Sequence, residues 1–378
     1  MSKISVKKVT TKKELSLFVE FPNNLYKGNE FFVPKISMDE KNTFNPKKNP
    51  AFKFSECQLF LAYKDGEIAG RVAAIINHKA NEIWNHKEVR FGWIDFIDDI
   101  EVTKALLSAV EAFGKERGMD TICGPLGFMD FDPEGMLVDG FDRMCTMALI
   151  YNYPYYKEHM EALGYVKETE WVEFRITVPE RIPEKITKVS RLVQERYGFR
   201  IRKVSKKEVL REGIGLKIFH IVNDTYKNLY NFTPLSDDLI EHYINTYLKI
   251  LDFKYVTCIE DADGQMAGFG VAVPSVARAL QKCRGKIFPF GWYHIAKSYF
   301  FKHEDTIELL LVGVLPQYQN KGAMALIFDD LIPRMLKGGF KFGESNAELE
   351  SNIAMQQQWQ MFESESKKRR RIYKKVME

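Results

Sequence analysis

The chain has 378 residues, of which 45% are hydrophobic and 28% charged, which is enough for two domains and too apolar for a disordered chain. No apolar run reaches the roughly 20 residues that span a bilayer, and no apolar stretch follows the charged start Met1-Ser-Lys-Ile-Ser-Val-Lys-Lys8, so neither membrane insertion nor a secretory leader is expected. Five dispersed cysteines, at 57, 123, 145, 258 and 283, form no CxxC pair, and a formal net charge of +4 is too small to argue for nucleic acid, so the composition fits a reducing cytoplasm and an anionic small ligand, with no metal site expected.

In chain order, a strand is expected near Ile4–Val9 and a helix from about Lys12. Apolar runs at 58–63 and 71–77 flank Asp65-Gly66, a hairpin signal. A strand over Arg90–Phe96 leads through Asp95, Asp98 and Asp99 into a helix at about Glu101–Arg117, stopped by Gly118. The three aspartates would repel a diphosphate, and capping of the helix by Asp98 or Asp99 is the simpler reading than a metal. A strand at Thr121–Cys123 opens a long loop rich in aromatic and acidic residues, which runs to Tyr151-Asn-Tyr-Pro-Tyr-Tyr156. Tyr155 and Tyr156 there either line a substrate pocket or pack. They open a helix over Tyr155–Leu163, on which His159 reads as a structural residue, as does His220 further on.

Pro179-Glu-Arg-Ile-Pro-Glu184 is the best linker candidate. Beyond it the order repeats: strand Arg200–Val204, helices within 206–251, and a hairpin over 254–273 turning at Asp263-Gly264. Strand Thr306–Val314, helix Ala323–Leu336, strand Lys341–Ser345, helix Ile353–Phe362 and strand Arg369–Val376 follow. The expected fold is therefore α/β with mixed sheets, in two copies of one unit at about 1–180 and 185–378, each a largely antiparallel sheet flanked by helices. The basic run Lys367–Arg371 reads as solvated strand charge, with nucleic-acid binding as the alternative.

The corner Val314-Leu-Pro-Gln-Tyr-Gln-Asn-Lys-Gly322 carries the chemistry. Pro316 ends the strand, and a polar turn feeds directly into an apolar helix. That geometry aims free backbone N–H groups and a positive helix end at one spot, where Gly322 leaves room for an anion. Each bond to a phosphate oxygen would be worth about 1.5–3 kcal/mol, and the helix dipole would add about 0.3–1 kcal/mol.

This string resembles the strand and pyrophosphate loop of the GNAT (Gcn5-related N-acetyltransferase) superfamily, with Gln319 and Gly322 on its pattern and Met324 where a small residue is usual. The resemblance implies an acyl-CoA, acetyl-CoA in the simplest case. Its diphosphate would lie on the N–H groups of Gln319, Asn320, Lys321, Gly322, Ala323 and Met324, and its pantetheine along Val312–Val314. It also implies a cofactor contact for Asn352, and a base at Glu308, whose alternative is a place at the strand's wet end. Trp359 replaces a tyrosine that commonly protonates the leaving thiolate; an indole cannot, so Trp359 becomes packing or a pocket wall. Most of the chain is similar to a bacterial group of two-unit GNAT-like proteins, the first unit lacking the phosphate turn. An N-acyltransferase acting on a small-molecule amine or a peptide is expected; a non-catalytic CoA- or ligand-binding protein and an aminoacyl or peptidyl transferase are the alternatives.

Overall fold

A computed structural model of the chain describes residues 3–247 and 251–378. Met1, Ser2 and positions 248–250 of the helical stretch expected over 206–251 lie outside the described residues. The first half runs β1 (Ile4–Lys8), α1 (Lys12–Leu25), α2 (Ser37–Thr43), β2 (Ser55–Lys64), β3 (Glu67–Asn77), α3 (His78–Trp84), β4 (Glu88–Phe96), α4 (Ile100–Lys115), β5 (Thr121–Gly124), β6 (Met136–Asp139), α5 (Tyr155–Ala162) and β7 (Val166–Thr177). The second half continues with α6 (Glu184–Tyr197), β8 (Arg200–Arg202), α7 (Lys206–Arg211), α8 (Ile214–Tyr226), α9 (Asp237–Tyr247), β9 (Val256–Glu260), β10 (Met266–Pro274), α10 (Ala277–Cys283) and α11 (Gly291–Phe300). It ends with β11 (Thr306–Val314), α12 (Ala323–Lys337), β12 (Phe342–Ser345), β13 (Glu348–Leu349), α13 (Ile353–Gln356) and β14 (Ser364–Val376).

Two compact units result, and neither is contiguous. Unit 1 is Met1–Val172, Val276–Ser298 and Lys367–Glu378; unit 2 is Glu173–Ser275 and Tyr299–Ser366. The linear division at 180–185 therefore misses the exchanged pieces. In unit 1 the strand order is β1-β2-β3-β4-β5-β14-β7, with β4 and β5 parallel and the pairs among β1–β4 and β5–β14 antiparallel. In unit 2 the order is β8-β9-β10-β11-β12-β7, with β11 and β12 parallel and the other neighbours antiparallel. Both units share a run of antiparallel neighbours ending in a parallel pair, β4–β5 in unit 1 and β11–β12 in unit 2.

Each sheet packs an amphipathic helix on one face. Leu106, Leu107, Val110 and Phe113 of α4 bury against Val72, Ala74, Ile76 and Phe91. Leu326, Ile327, Leu331 and Met335 of α12 do the same against Ile259, Ala267, Ile307 and Val314. Each such side chain contributes about 1.5–3 kcal/mol. Asp99 caps α4 by accepting the Glu101 N–H at 3.0 Å, as one of the sequence alternatives held. Asp98 Oδ1 accepts from His159 Nε2 at 3.1 Å, and His159 stacks on Phe96, which makes it structural; His220 is exposed.

The basic run needs correction. Arg370 is fully buried and Lys368 nearly so, not solvated. Arg370 donates to the Ile150 carbonyl and Lys368 to that of Met144, while Arg369 and Arg371 pair with Glu170. The long stems cross unit 1 to reach carbonyls and carboxylates that a sequence does not reveal.

Candidate active site

The site begins with a bulge. Between β10 and β11 the register slips so that Leu310 is the extra residue, with Leu309 opposite Ala272 and Leu311 opposite Val271. Beyond it β12 ends at Ser345, whereas β11 continues to Val314, so the last turn of the strand has sheet on one side only. Ladder parity fixes which groups face the open side. The Leu315 N–H donates to the Ala267 carbonyl at 2.9 Å, which makes Val314–Gly268 a non-hydrogen-bonded pair. The N–H groups of Val314 and, two residues back, Val312 therefore point away from β10. Side chains occupy the carbonyls on that edge: Asn346 Nδ2 donates to Leu310 at 3.2 Å, Tyr226 Oη to Val312 at 3.1 Å and Gln319 Nε2 to Val314 at 3.1 Å.

The corner follows directly. Pro316–Tyr318 forms one 3-10 turn, Asn320 (φ 61°) and Gly322 (φ 80°) adopt left-handed backbone, and α12 starts at Ala323 without a side-chain cap. The N–H groups of Gln319 and Lys321 are tied back to Leu315 and Tyr318. Those of Asn320, Gly322, Ala323 and Met324 donate to no protein acceptor among the described residues. Four orphan donors at one helix start satisfy the electrostatic requirement for binding an anion. Met324 does not fill the corner: its side chain packs into the apolar clusters beneath α12. Tyr318 pins the turn to the β9–β10 hairpin through Asp261, and the Lys321 ammonium lies 5.4 Å from the Tyr197 ring and 5.3 Å from that of Tyr318.

Glu308 is buried, on the still-paired part of β11, opposite Glu344 of β12 and before the bulge. Alternation puts it on the face away from α12, since Ile307 and Leu309 pack there. A second carboxylate, missed in the sequence, stands beyond the end of β12. Glu348 accepts the Trp359 indole N–H at 2.8 Å; its other oxygen, Oε2, is buried with no hydrogen-bond partner among the described residues. Burial pushes its carboxyl up to about 7. The same charge reaches Tyr226, whose hydroxyl is pushed up to about 12, first by burial. Trp359 is buried among Ile176, Ile186, Phe328 and Ile332, so the indole is both core and hydrogen-bond donor. Asn352 caps the one-turn α13, accepting the Met355 N–H at 3.3 Å.

Unit 1 has the same bulge, with Trp93 and Ile94 opposite Val72, and Trp93 takes φ 44° there. Its open edge, however, is filled. The Phe96 N–H, at the strand end corresponding to Val314, donates to Tyr156 Oη at 3.0 Å, and the Phe96 carbonyl accepts from Tyr155 Oη at 2.6 Å. The β5–β6 loop closes the rest: the Leu126 N–H donates to Phe91, and a Cβ on Gly92 would lie 2.4 Å from the Leu126 carbonyl oxygen. Asp95 is buried between Arg71 (2.7 Å) and Tyr26 (2.8 Å). Tyr155 and Tyr156 thus serve unit 1's own strand, and Tyr373 lies in that unit's core. Nothing local marks Glu348 or Tyr226, because chain distant in sequence places them; a carboxylate between Ala347 and Leu349 is the one hint.

No family model matches the chain. Protein YghO of Escherichia coli (strain K12) is 28% identical over 382 residues, spanning 98% of this chain and 95% of that protein. A bacterial ceramide synthase of Caulobacter vibrioides (strain NA1000 / CB15N) is 26% identical over 324 residues, 84% of this chain and 82% of the relative. Among solved structures, a tandem GNAT protein from the clavulanic acid biosynthesis pathway matches 99% of this chain and 98% of its own, with TM-score 0.57 at 9% identity. The chain has the tandem GNAT fold. Of its two units with this fold, the second keeps an unpaired strand edge beside a corner of orphan N–H groups, and the first has closed the same edge with tyrosines and a loop.

Proposed function

We propose that the protein is an acyl-CoA-dependent N-acyltransferase that works in unit 2. The observation that carries this is the contrast between Val314, whose N–H points away from β10 on the edge that β12 leaves unpaired, and Phe96, whose N–H is taken by Tyr156. The N–H groups of Asn320, Gly322, Ala323 and Met324 hold the diphosphate, and Lys321 adds charge beside them. Acyl-CoA supplies an activated thioester. Val312 and Val314 offer N–H groups to the acyl oxygen, where negative charge collects as the amine attacks. Glu348, poised near neutrality, takes the ammonium proton and so frees the amine lone pair. The carbon–sulfur bond then breaks, the nitrogen gives its second proton through solvent to the departing CoA thiolate, and an amide remains. Glu308 sits behind the bulge and supports the sheet.

The relative named a ceramide synthase supports an acceptor class, since a ceramide is an amide of a long-chain amino alcohol. We therefore assign a primary amine on an aliphatic chain. The test is thiol release from short- and long-chain acyl-CoA with such amines, with the amide followed by chromatography. Amine-dependent release is expected, and Glu348→Gln lowers kcat by about 100-fold or more while CoA affinity stays within about twofold. CoA binding without any amide would make the protein a binding module and overturn the reading.

A further inference from the structure

The segment between β10 and β11 plays no part in the site. From Gly264 to His303 the chain contains no Asp or Glu, while Arg278, Lys282, Arg284, Lys286, Lys297 and Lys302 supply six cations. The base of this segment is part of unit 1 and is held there by side chains and backbone. Gln281 donates to the carbonyls of Glu30 and Phe32, Arg284 to that of Asn23, and Lys286 pairs with Glu20 at 3.0 Å. The Ser37 N–H donates to the Gly285 carbonyl at 3.0 Å. From that anchorage the tip projects large rings into solvent: Phe288 is 72% exposed, Phe290 76%, Trp292 53% and Tyr293 52%. Helix α11 then ends on Phe300, 72% exposed, followed by Phe301 at 84%. Isolated apolar residues on a surface need no explanation, but six large rings within 14 positions do.

We infer that this tip is a docking surface for an anionic phospholipid bilayer. Three features favour that occupant. The rings are of the kind that settle in the headgroup zone, with Trp292 and Tyr293 each carrying an apolar body and a polar edge. The exposed lysines, Lys282, Lys297 and Lys302, have aliphatic stems long enough to lie among acyl chains while their ammonium groups meet phosphates. A second copy of this chain is a poor occupant, because facing tips would bring cations against cations with no acid to offset them. Among the described residues no helix is long and apolar enough to cross a membrane, so the attachment is peripheral, with α11 lying in the interface. The sequence expectation of no membrane partner rested on the lack of a spanning run; a surface of scattered rings and lysines produces none.

The inference does not depend on the transferase reading. It is tested by sedimenting the full chain with phosphatidylglycerol-containing vesicles and with phosphatidylcholine vesicles. The wild type is expected to partition onto the anionic vesicles, less so as salt is raised, with a blue shift of tryptophan emission that Trp292→Phe removes. The exposed-site triple variant Phe288→Ser, Phe290→Ser, Trp292→Ser is expected to lose roughly tenfold or more of this partitioning, with its melting curve and CoA titration unchanged. Lys297→Glu with Lys302→Glu is expected to weaken binding to anionic vesicles and leave phosphatidylcholine unaffected. Absence of wild-type partitioning would overturn the inference, as would a triple variant that binds as the wild type does. A lipid-free dimer that the triple variant splits, seen by light scattering, would assign the tip to self-association instead.

Discussion

Burial lifts the Glu348 carboxyl from the ordinary carboxylate range to about 7, so this side chain changes charge near neutral pH. The folded chain holds that proton more tightly than the unfolded one does. Folding stability attributable to Glu348 therefore falls as pH climbs from about 4.5 to about 7, and the cost is complete above that. Glu348→Gln keeps an oxygen for the Trp359 N–H and removes the charge. Urea unfolding is expected to find the variant equal to the wild type near pH 4 and more stable at pH 8, by up to about 3 kcal/mol. Stability gained together with turnover lost is the signature of a strained working group; a variant destabilised at both pH values would make Glu348 a packing residue. At this scale the sequence was partly legible. Gly322, Asn320 and Met324 could be named as candidates because a local turn sets their backbone. Glu348 and Tyr226 could not, since a helix ending at 226 and an indole at 359 give them their surroundings.

Secondary structure followed local rules closely where one face is apolar. Strand Thr306–Val314 has the bounds its pattern implies, and α12 begins at Ala323 as read and runs one residue past Leu336. The pattern failed where tertiary contacts decide. The helix expected over Ile353–Phe362 is one α-turn and then a 3-10 turn, which brings the Trp359 N–H to Glu348. Helices within 206–251 are separated at Gly213, which takes φ 68°, and by the loop after Tyr226. Strands β6 and β13 are too short for a periodicity to show. The closed edge of unit 1 gives an element-level prediction. Tyr156→Phe strips the acceptor from the buried Phe96 N–H and breaks the 2.8 Å contact with Tyr26. A loss of about 1–3 kcal/mol is expected in chemical denaturation, with CoA affinity untouched. A change in CoA affinity would mean that unit 1 takes part in cofactor binding.

At the scale of the molecule, the halves share a plan but exchange pieces. The paired Asp-Gly hairpins and the order of strands and helices made the duplication readable. The C-terminal strand was read correctly as a strand but given to the wrong unit. Its partners are β5, β6 and β7, all from the first half, and pairing over such a separation leaves no mark in a local pattern. Removing residues 367–378 therefore strikes unit 1. It exposes the β5 edge and empties the space of buried Arg370, Ile372 and Tyr373. Hydrogen exchange of the truncated chain is expected to show protection lost across β4 and β5; full retention there would contradict the strand assignment.

The central claim is that the β11–α12 corner receives the diphosphate of CoA. Isothermal titration of the intact chain with CoA tests it most directly. One equivalent is expected to bind, and Lys321→Glu, which sets a negative charge beside the four orphan N–H groups, is expected to weaken binding by about tenfold or more. No heat at any CoA concentration, or an affinity indifferent to charge at Lys321, would contradict the account.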